Sequence, residues 1–198
     1  MTDSLATVID GGSERPYPQG IRALGEDLRF GVAGHDSDGD PSLALVLGKL
    51  ALSLRVQAVV LFRIGQSAHR LAPALGAVVR YLNQVLTGAD IALEAKIGPG
   101  LVLYHPSGVV IGPQCHLGRR CTIMQGVTLG GGPNGRGGWP RLGDHVYVGP
   151  GAKVIGGIEV GSHTMIGANA VVLRDIPAHA FAAGVPAVVR RIEPHDDE

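Results

Sequence analysis

The sequence predicts a mainly β protein, in which a small α-helical domain precedes a parallel β-helix built from hexapeptide repeats. Two observations predict the β-helix. Counted in steps of six, every position is Leu, Ile, Val or Cys from Ile91 to Val127, and again from Leu142 to Val172. Many of these repeats also contain an aliphatic residue followed by glycine, as in Ile97-Gly98 and Val148-Gly149. A period of six with one aliphatic residue per period is the sequence signature of this fold.

In such a fold, three short strands form one triangular coil of about 18 residues, and each strand sends an aliphatic side chain into a narrow core. Glycine adopts the backbone angles that the corners require, which explains many of the 31 glycines in the chain. Neither the period of two of an open sheet nor the 3.6-residue period of an amphipathic helix fits this segment. We therefore assign residues 89–192 to the β-helix and residues 193–198 to a polar tail.

The N-terminal part of the chain predicts helices. Residues 1–39 are expected to be a flexible segment with a short helix over Ile21–Phe30, followed by a Gly- and Asp-rich loop. Asp40-Pro41 has the form of a helix start, with Asp as the N-cap and Pro at the first helical position. Dense apolar residues follow to Ala72, and a further helix runs from Pro73 to a C-cap at Gly88. Residues 40–88 are thus predicted to form the helical domain.

One interruption breaks the hexapeptide pattern. Val127 to Leu142 spans 15 residues where one repeat takes six, so nine residues are expected to leave the β-helix as a loop. This loop falls at residues 130–140 (GGGPNGRGGWP). Glycine-rich loops on a rigid scaffold often carry ligand contacts, although a tolerated surface insertion would have the same pattern.

Composition narrows the functional classes. A net charge of +0 and a pI of about 7.1 give no electrostatic reason to expect nucleic acid or a membrane surface as a partner. The first 20 residues lack the pattern of a signal peptide, and Lys49, Arg55 and Arg63 interrupt the apolar run after Leu43. We expect a cytoplasmic protein. Cys115 and Cys121 fall at inward positions and are interpreted as core residues, so no metal is expected.

The strongest candidate for chemistry is the pair His105 and Asp90. His105 lies at a corner of the predicted β-helix, and Asp90 lies 15 residues earlier, immediately before Ile91. A coil of about 18 residues would stack Gly108 over Asp90 and bring the carboxylate near the imidazole. An Asp that accepts from one imidazole nitrogen makes the other a better general base for an alcohol. A corner His and a capping Asp without chemistry explain the spacing equally well.

Four segments, in this order, resemble serine O-acetyltransferases, and the resemblance covers about residues 40–192. These segments are residues 90–112 (DIALEAKIGPGLVLYHPSGVVIG), 125–132 (QGVTLGGG), 149–161 (GPGAKVIGGIEVG) and 183–187 (AGVPA). The resemblance implies a left-handed β-helix and transfer of an acetyl group from acetyl-CoA to the hydroxyl of serine or a related hydroxy amino acid. It implies that His105 is the general base and that Asp90 is its partner. It further implies a homotrimer, or a hexamer of two trimers, with sites between the prisms.

The resemblance also implies binding residues. Asp40 matches an Asp that helps to bind the amino group of the substrate, although its role as an N-cap explains it equally well. For acetyl-CoA, the resemblance implies backbone contacts and two basic side chains near the end of the β-helix. The residues concerned are Gly130, Gly131, Pro150 and Ala168 for the backbone contacts, and Arg190 and Arg191 for the phosphates.

The sequence departs from the family at the acceptor pocket. Tyr104 precedes His105 where the family has Asp, and Gly138-Trp139 stands where the family has Arg-His. Because the changed side chains hold the acceptor, another hydroxyl compound is a candidate acceptor. Tyr104 and Trp139 are then expected to contact it, and Trp139 offers a stacking surface. The family's C-terminal Ile is absent, so we expect no complex with cysteine synthase.

Three alternatives compete with this interpretation. An O-acetyltransferase for a sugar or a specialised metabolite would also fit Tyr104 and Trp139. A metal-dependent hydratase resembling the γ-type carbonic anhydrases would need three converging His residues, and the coils show no such set. A non-catalytic scaffold would give no reason for Asp90, His105 and a glycine-rich loop to occur together.

Overall fold

The computed structural model describes residues 17–33, 41–133 and 137–191. A 3-10 turn over Gly20–Ala23 leads directly into the first of four α-helices. The helices are α1 (Leu24–Ala33), α2 (Leu43–Leu52), α3 (Leu54–Leu71) and α4 (Pro73–Thr87). Among the described residues no single helix is long and apolar enough to cross a membrane, and α2 with α3 reach that length only across a 91° bend.

The helix ends agree with the sequence in part. Pro73 begins α4, and Gly88 ends it in the left-handed conformation, with φ of 78°, as predicted. The predicted start of α2 is wrong, because Ser42 is the N-cap: its hydroxyl accepts from the Leu45 N–H at 3.3 Å. Asp40 lies outside the described residues. The helix predicted over residues 21–30 extends to Ala33, and its Asp27 is buried rather than part of a loose segment.

Fifteen short strands follow the helices. In chain order, β1 to β15 are Asp90–Ile91, Lys96–Ile97, Val102–Leu103, Val110–Ile111, His116–Leu117, Thr122–Ile123, Thr128–Gly130, Arg141–Leu142, Tyr147–Val148, Lys153–Ile155, Glu159–Val160, Met165–Ile166, Val171–Val172, Ala180–Ala183 and Val188–Arg191. They form three sheets with the strand orders β1-β4-β7-β10-β13, β2-β5-β8-β11 and β3-β6-β9-β12-β14-β15. All pairs are parallel except β14 with β15. Every third strand therefore stacks in one sheet up to β13, which is the architecture of a parallel β-helix.

The coils differ in length at two places. Asp90 pairs with Val110 after 20 residues, Val110 pairs with Thr128 after 18, and Thr128 pairs with Lys153 after 25. The first coil therefore has two extra residues, which lie in the corner between β3 and β4 that contains His105. The loop between β7 and β8 has seven extra residues rather than the nine predicted.

The period of six does not reveal the two-residue insertion, because each repeat has two buried positions. From β1 to β13 the second residue of each strand points inward, and so does the residue two positions earlier. In the second coil the first set is Ile111, Leu117, Ile123 and Leu129, and the second is Val109, Cys115, Cys121 and Val127, all at most 2% exposed. The counted residues thus change from the first set to the second at the insertion without losing their aliphatic character.

Both cysteines are core residues, as predicted. They are free thiols, and burial raises the pKa of Cys115 to about 11 and that of Cys121 to about 12. The Cys115 Sγ lies 3.4 Å from the Leu129 carbonyl oxygen. Neither thiol is therefore poised for chemistry at neutral pH.

A buried ion pair joins the helices to the first coil. The Arg63 Nε on α3 donates to the Asp27 Oδ2 on α1 at 2.8 Å, and both side chains are almost completely inaccessible to solvent. Arg63 also donates to the Ile97 and Gly98 carbonyl oxygens at 2.9 and 2.8 Å. Asp27 Oδ1 accepts from the backbone N–H groups of Gly100 and Leu101 at 2.8 and 2.9 Å. These bonds fix the helices against the β-helix, which in turn fixes the cleft described next.

Candidate active site

His105 lies on an exposed corner of the β-helix, between β3 and β4. The two extra residues of the first coil enlarge this corner. Within this corner the Val109 N–H donates a hydrogen bond to the Pro106 carbonyl oxygen at 3.1 Å, and Gly108 reverses the chain direction with a φ of 70°. The imidazole is therefore accessible from solvent, as a general base acting on a small molecule must be.

The helices form a cleft over this corner. Its volume is about 670 Å³, and residues of α2, the start of α3 and the segment from Tyr104 to Ser107 line it. Much of the wall from the helices is apolar, and the lining includes Leu45, Leu52 and Leu54. Two cations, Lys49 and Arg55, also line the cleft. The Arg55 guanidinium lies over the Tyr104 ring, with its central carbon 5.0 Å from the ring centroid.

Asp90 is bound by Arg80 and lines a different cleft from His105. Its Oδ1 accepts from the Arg80 Nε at 2.8 Å and lies 2.7 Å from the Arg80 Nη2. It lines a second cleft of about 270 Å³ beside α4, which does not include His105. Within the described part of the chain no hydrogen bond joins Asp90 to His105. The expected stacking of Gly108 over Asp90 is wrong, because Val110 pairs with Asp90 and the Gly108 N–H donates to the Gly88 carbonyl oxygen.

Two of the residues expected to contact acetyl-CoA lie on the same edge as His105. Along this edge, the backbone N–H groups of Gly126, Gly151 and Asn169 donate to carbonyl oxygens of the coil before. The acceptors are Ser107 at 3.0 Å, Gln125 at 2.8 Å and Pro150 at 2.8 Å. Pro150 and Ala168 therefore follow the His105 corner on successive coils. We call this column of corners the His105 edge.

The other expected contacts lie elsewhere in the chain. Gly130 and Gly131 lie where the chain leaves β7 for the loop, at the edge between the first and second sheets. Arg190 is exposed on β15, opposite Phe181 at the end of the third sheet. The Arg191 backbone pairs with Ala180, and its side chain lies outside the described atoms. A single chain does not bring these residues to the His105 edge.

Trp139 packs against its own chain rather than standing in the cleft. Its ring covers Gly112 and Gly131, and a Cβ atom at Gly112 would overlap the ring. Part of the ring thus belongs to the edge of the hydrophobic core. The structure therefore uses one face of Trp139 for packing.

Three further histidines stack on one another at the surface. His145, His163 and His179 lie at exposed corners with φ near 55°, and their rings stack at 4.8 and 4.9 Å. This stack lies on the edge between the second and third sheets, away from His105. In the described ranges no group of three or more His, Cys, Asp or Glu residues could hold a metal ion.

Sequence reasoning missed two groups that the structure places at these clefts. In the sequence, Lys49 and Arg55 only interrupt an apolar run, and nothing distinguishes Arg80 from other charged residues of a helix. The residues themselves carry no local motif. Their positions depend on how α2, α3 and α4 pack on the first coil.

Comparison with known proteins gives consistent results. The family model described as bacterial transferase hexapeptide (six repeats) matches residues 140–174. The serine acetyltransferase of Helicobacter pylori is 41% identical over 154 residues, which cover 75% of this chain and 88% of that protein. The serine acetyltransferase of Synechococcus elongatus is 40% identical over 135 residues, which cover 67% of this chain and 55% of that protein. The chain thus spans little more than half the length of the latter relative.

Solved structures agree with the sequence matches. A serine acetyltransferase in complex with CoA superposes with a TM-score of 0.73 at 34% identity, covering 86% of this chain and 69% of that one. The serine acetyltransferase of Neisseria gonorrhoeae in complex with serine gives 0.74 at 30% identity, covering 86% and 68%.

Proposed function

The chain belongs to the serine acetyltransferase family, and we propose that it transfers the acetyl group of acetyl-CoA to the hydroxyl of serine or a related hydroxy amino acid. Its fold is the left-handed parallel β-helix of hexapeptide-repeat transferases, preceded by helices. The observation that carries the proposal is the position of His105, exposed on the wall of a cleft large enough for a small acceptor. Pro150 and Ala168 on the same edge support acetyl-CoA as the donor.

In this proposal the His105 imidazole removes the proton of the acceptor hydroxyl. The oxygen forms a bond to the acetyl carbonyl carbon, the bond from that carbon to sulfur breaks, and the proton passes from the imidazolium to the CoA thiolate. A positioned general base of this kind contributes roughly 10²–10⁴-fold to a rate.

Asp90 is proposed as the partner of His105. Arg80 binds only its Oδ1, which leaves Oδ2 to accept from an imidazole N–H. Arg80 also restricts the orientation of the carboxylate. The role of Asp90 is to orient the imidazole rather than to touch the acceptor.

We propose that the enzyme is a homotrimer, with a hexamer as the alternative. The supporting observation is that Gly130, Gly131 and the loop lie on a different edge from His105. A neighbouring copy would place its loop beside the His105 edge, so that acetyl-CoA binds between two chains, as ligands often do at interfaces. Arg190 and Arg191 are proposed to bind the CoA phosphates, and Asp40 and Tyr104 the acceptor. A cytoplasmic location is proposed on the sequence grounds given above.

Acetylation of a sugar or a specialised-metabolite hydroxyl is the second candidate. Tyr104 in the cleft favours it, and Trp139, in the loop that a neighbouring copy would contribute, is proposed as the second acceptor contact. Mass spectrometry of the products from acetyl-CoA, with serine, homoserine and simple sugars supplied separately, tests both. We expect acetylated serine or homoserine. Acetylation of the sugars alone would replace the first proposal by the second, and no product from any acceptor would refute both.

A further inference from the structure

The cleft over His105 has a positive lining. Of the residues that line it, Lys49 and Arg55 are basic, and no acidic side chain is among the described ones. Throughout the described ranges, no Asp or Glu lies within ion-pair distance of either cation. Two cations that share a cleft with an exposed candidate base give the cleft a positive potential that attracts an anion.

Contacts with neighbouring groups restrict the Arg55 side chain. It is half-buried, its guanidinium stacks on the Tyr104 ring, and its Nη2 donates to the Gly31 carbonyl oxygen at the end of α1. A guanidinium carries five N–H donors in a fixed plane, and the bond to Gly31 uses one of those on Nη2. Because stacking and the bond to Gly31 restrict the side chain beforehand, binding an anion costs little side-chain entropy.

Leu52 and Leu54 lie beside the two cations in the lining and offer exposed apolar surface to the rest of a ligand. Tyr104 immediately precedes His105, so an anion that contacts Arg55 above the Tyr104 ring lies close to the candidate base. A small acceptor can therefore reach Arg55 with one end and His105 with the other.

We infer that Arg55, assisted by Lys49, binds the carboxylate of the acceptor and thereby selects hydroxy acids as substrates. The inference rests on the proposed function, since His105 is the group to which the acceptor hydroxyl is presented. A guanidinium forms paired hydrogen bonds with a carboxylate, which gives orientation as well as attraction. None of the described residues that line the cleft carries a negative charge that would bind an ammonium group, so the carboxylate is the feature that these two cations recognise.

The experiment measures binding calorimetrically, without acetyl-CoA, for three probes. L-Serine has both charged groups, D-glycerate has only the carboxylate, and L-serinamide has only the ammonium. We expect serine and glycerate to bind the unmodified protein and serinamide to bind at least tenfold more weakly. Arg55→Ala weakens binding of both carboxylates at least tenfold and leaves serinamide unchanged. Arg55→Lys, which keeps the charge without the planar fork, gives an intermediate affinity.

Control variants test whether the effect on affinity is specific to the cleft. Arg174→Ala removes an exposed arginine that does not line the cleft and should leave all three affinities unchanged. If Arg55→Ala does not fold, as judged by circular dichroism, Lys49→Ala and Arg55→Lys supply the test, each with a reduced affinity for glycerate. Serinamide binding as tightly as serine, glycerate affinity unchanged in the variants, or no binding of either carboxylate would overturn the inference. Binding as expected without acetyl transfer would instead refute the proposed function.

Discussion

The ion pair between Asp27 and Arg63 is the contact whose loss should affect stability most. Asp27 is a single carboxylate that accepts from the Arg63 Nε and Nη2 and from two backbone N–H groups. Asp27→Asn keeps the volume but removes the charge. The side-chain amide nitrogen of the new Asn would lie opposite some of the N–H groups that Asp27 accepts from. At least one buried donor would therefore lose its acceptor. Arg63 would remain completely buried without a counter-charge.

The expected cost follows from this geometry. Removing one partner of a buried ion pair costs about 3 to 5 kcal/mol, because the other charge stays buried and uncompensated. Arg63 keeps its bonds to the Ile97 and Gly98 carbonyl oxygens, so we expect the lower half of that range for Asp27→Asn. Asp27→Leu combined with Arg63→Met should cost less than the sum of the two single changes, since no charge is left buried.

Urea unfolding followed by far-UV circular dichroism measures these costs, at one protomer concentration because assembly adds stability. Asp175→Asn is the matched control, since Asp175 is exposed and accepts from a single backbone N–H, that of Glu159. It should cost less than about 1 kcal/mol. A cost below about 1 kcal/mol for Asp27→Asn, or equal costs for the two variants, would refute the argument that this pair fixes the helices to the β-helix.

Two further predictions concern the core of the β-helix. Because burial raises the pKa of Cys115 to about 11 and that of Cys121 to about 12, neither thiol should react with an aromatic disulfide reagent at neutral pH until urea unfolds the protein. Rapid reaction of the native protein would show that the core opens. Gly112→Ala should displace the Trp139 ring, shift the fluorescence of the only tryptophan and destabilise the fold by about 1 to 3 kcal/mol. Gly25→Ala, on a helix with open space at its Cβ position, should be neutral or stabilising, and equal losses in both variants would contradict this interpretation.

The sequence was sufficient to predict the β-helix because the hexapeptide period is a local property that every repeat shows independently. It was not sufficient to locate the two-residue insertion at the His105 corner. Val109 and Ile111 are both buried aliphatic residues. A count in steps of six therefore passes from Leu103 to Val109, although Ile111 is the residue that occupies the equivalent position in its strand. The same error placed Gly108, rather than Val110, over Asp90.

The charged contacts of the helices were beyond the sequence for a different reason. Arg63 is fully buried and Arg55 lines the cleft, yet both lie in the same apolar stretch and have similar neighbours along the chain. What separates them is the packing of α3 against α1 and the first coil. Position on a packed surface, rather than residue type, decides which arginine stabilises the fold and which one lines the cleft.

The most direct test of the central claim is thiol release from acetyl-CoA in the presence of L-serine or D-glycerate, compared between His105→Asn and His163→Asn. Both variants replace an exposed corner histidine by the same residue, but only His105 lines the cleft. The account predicts acceptor-dependent release by the unmodified protein, a loss of roughly 10²–10⁴-fold in kcat for His105→Asn, and a change of no more than about twofold for His163→Asn. Acceptor-dependent release that persists in His105→Asn, or is lost equally in both variants, would contradict it.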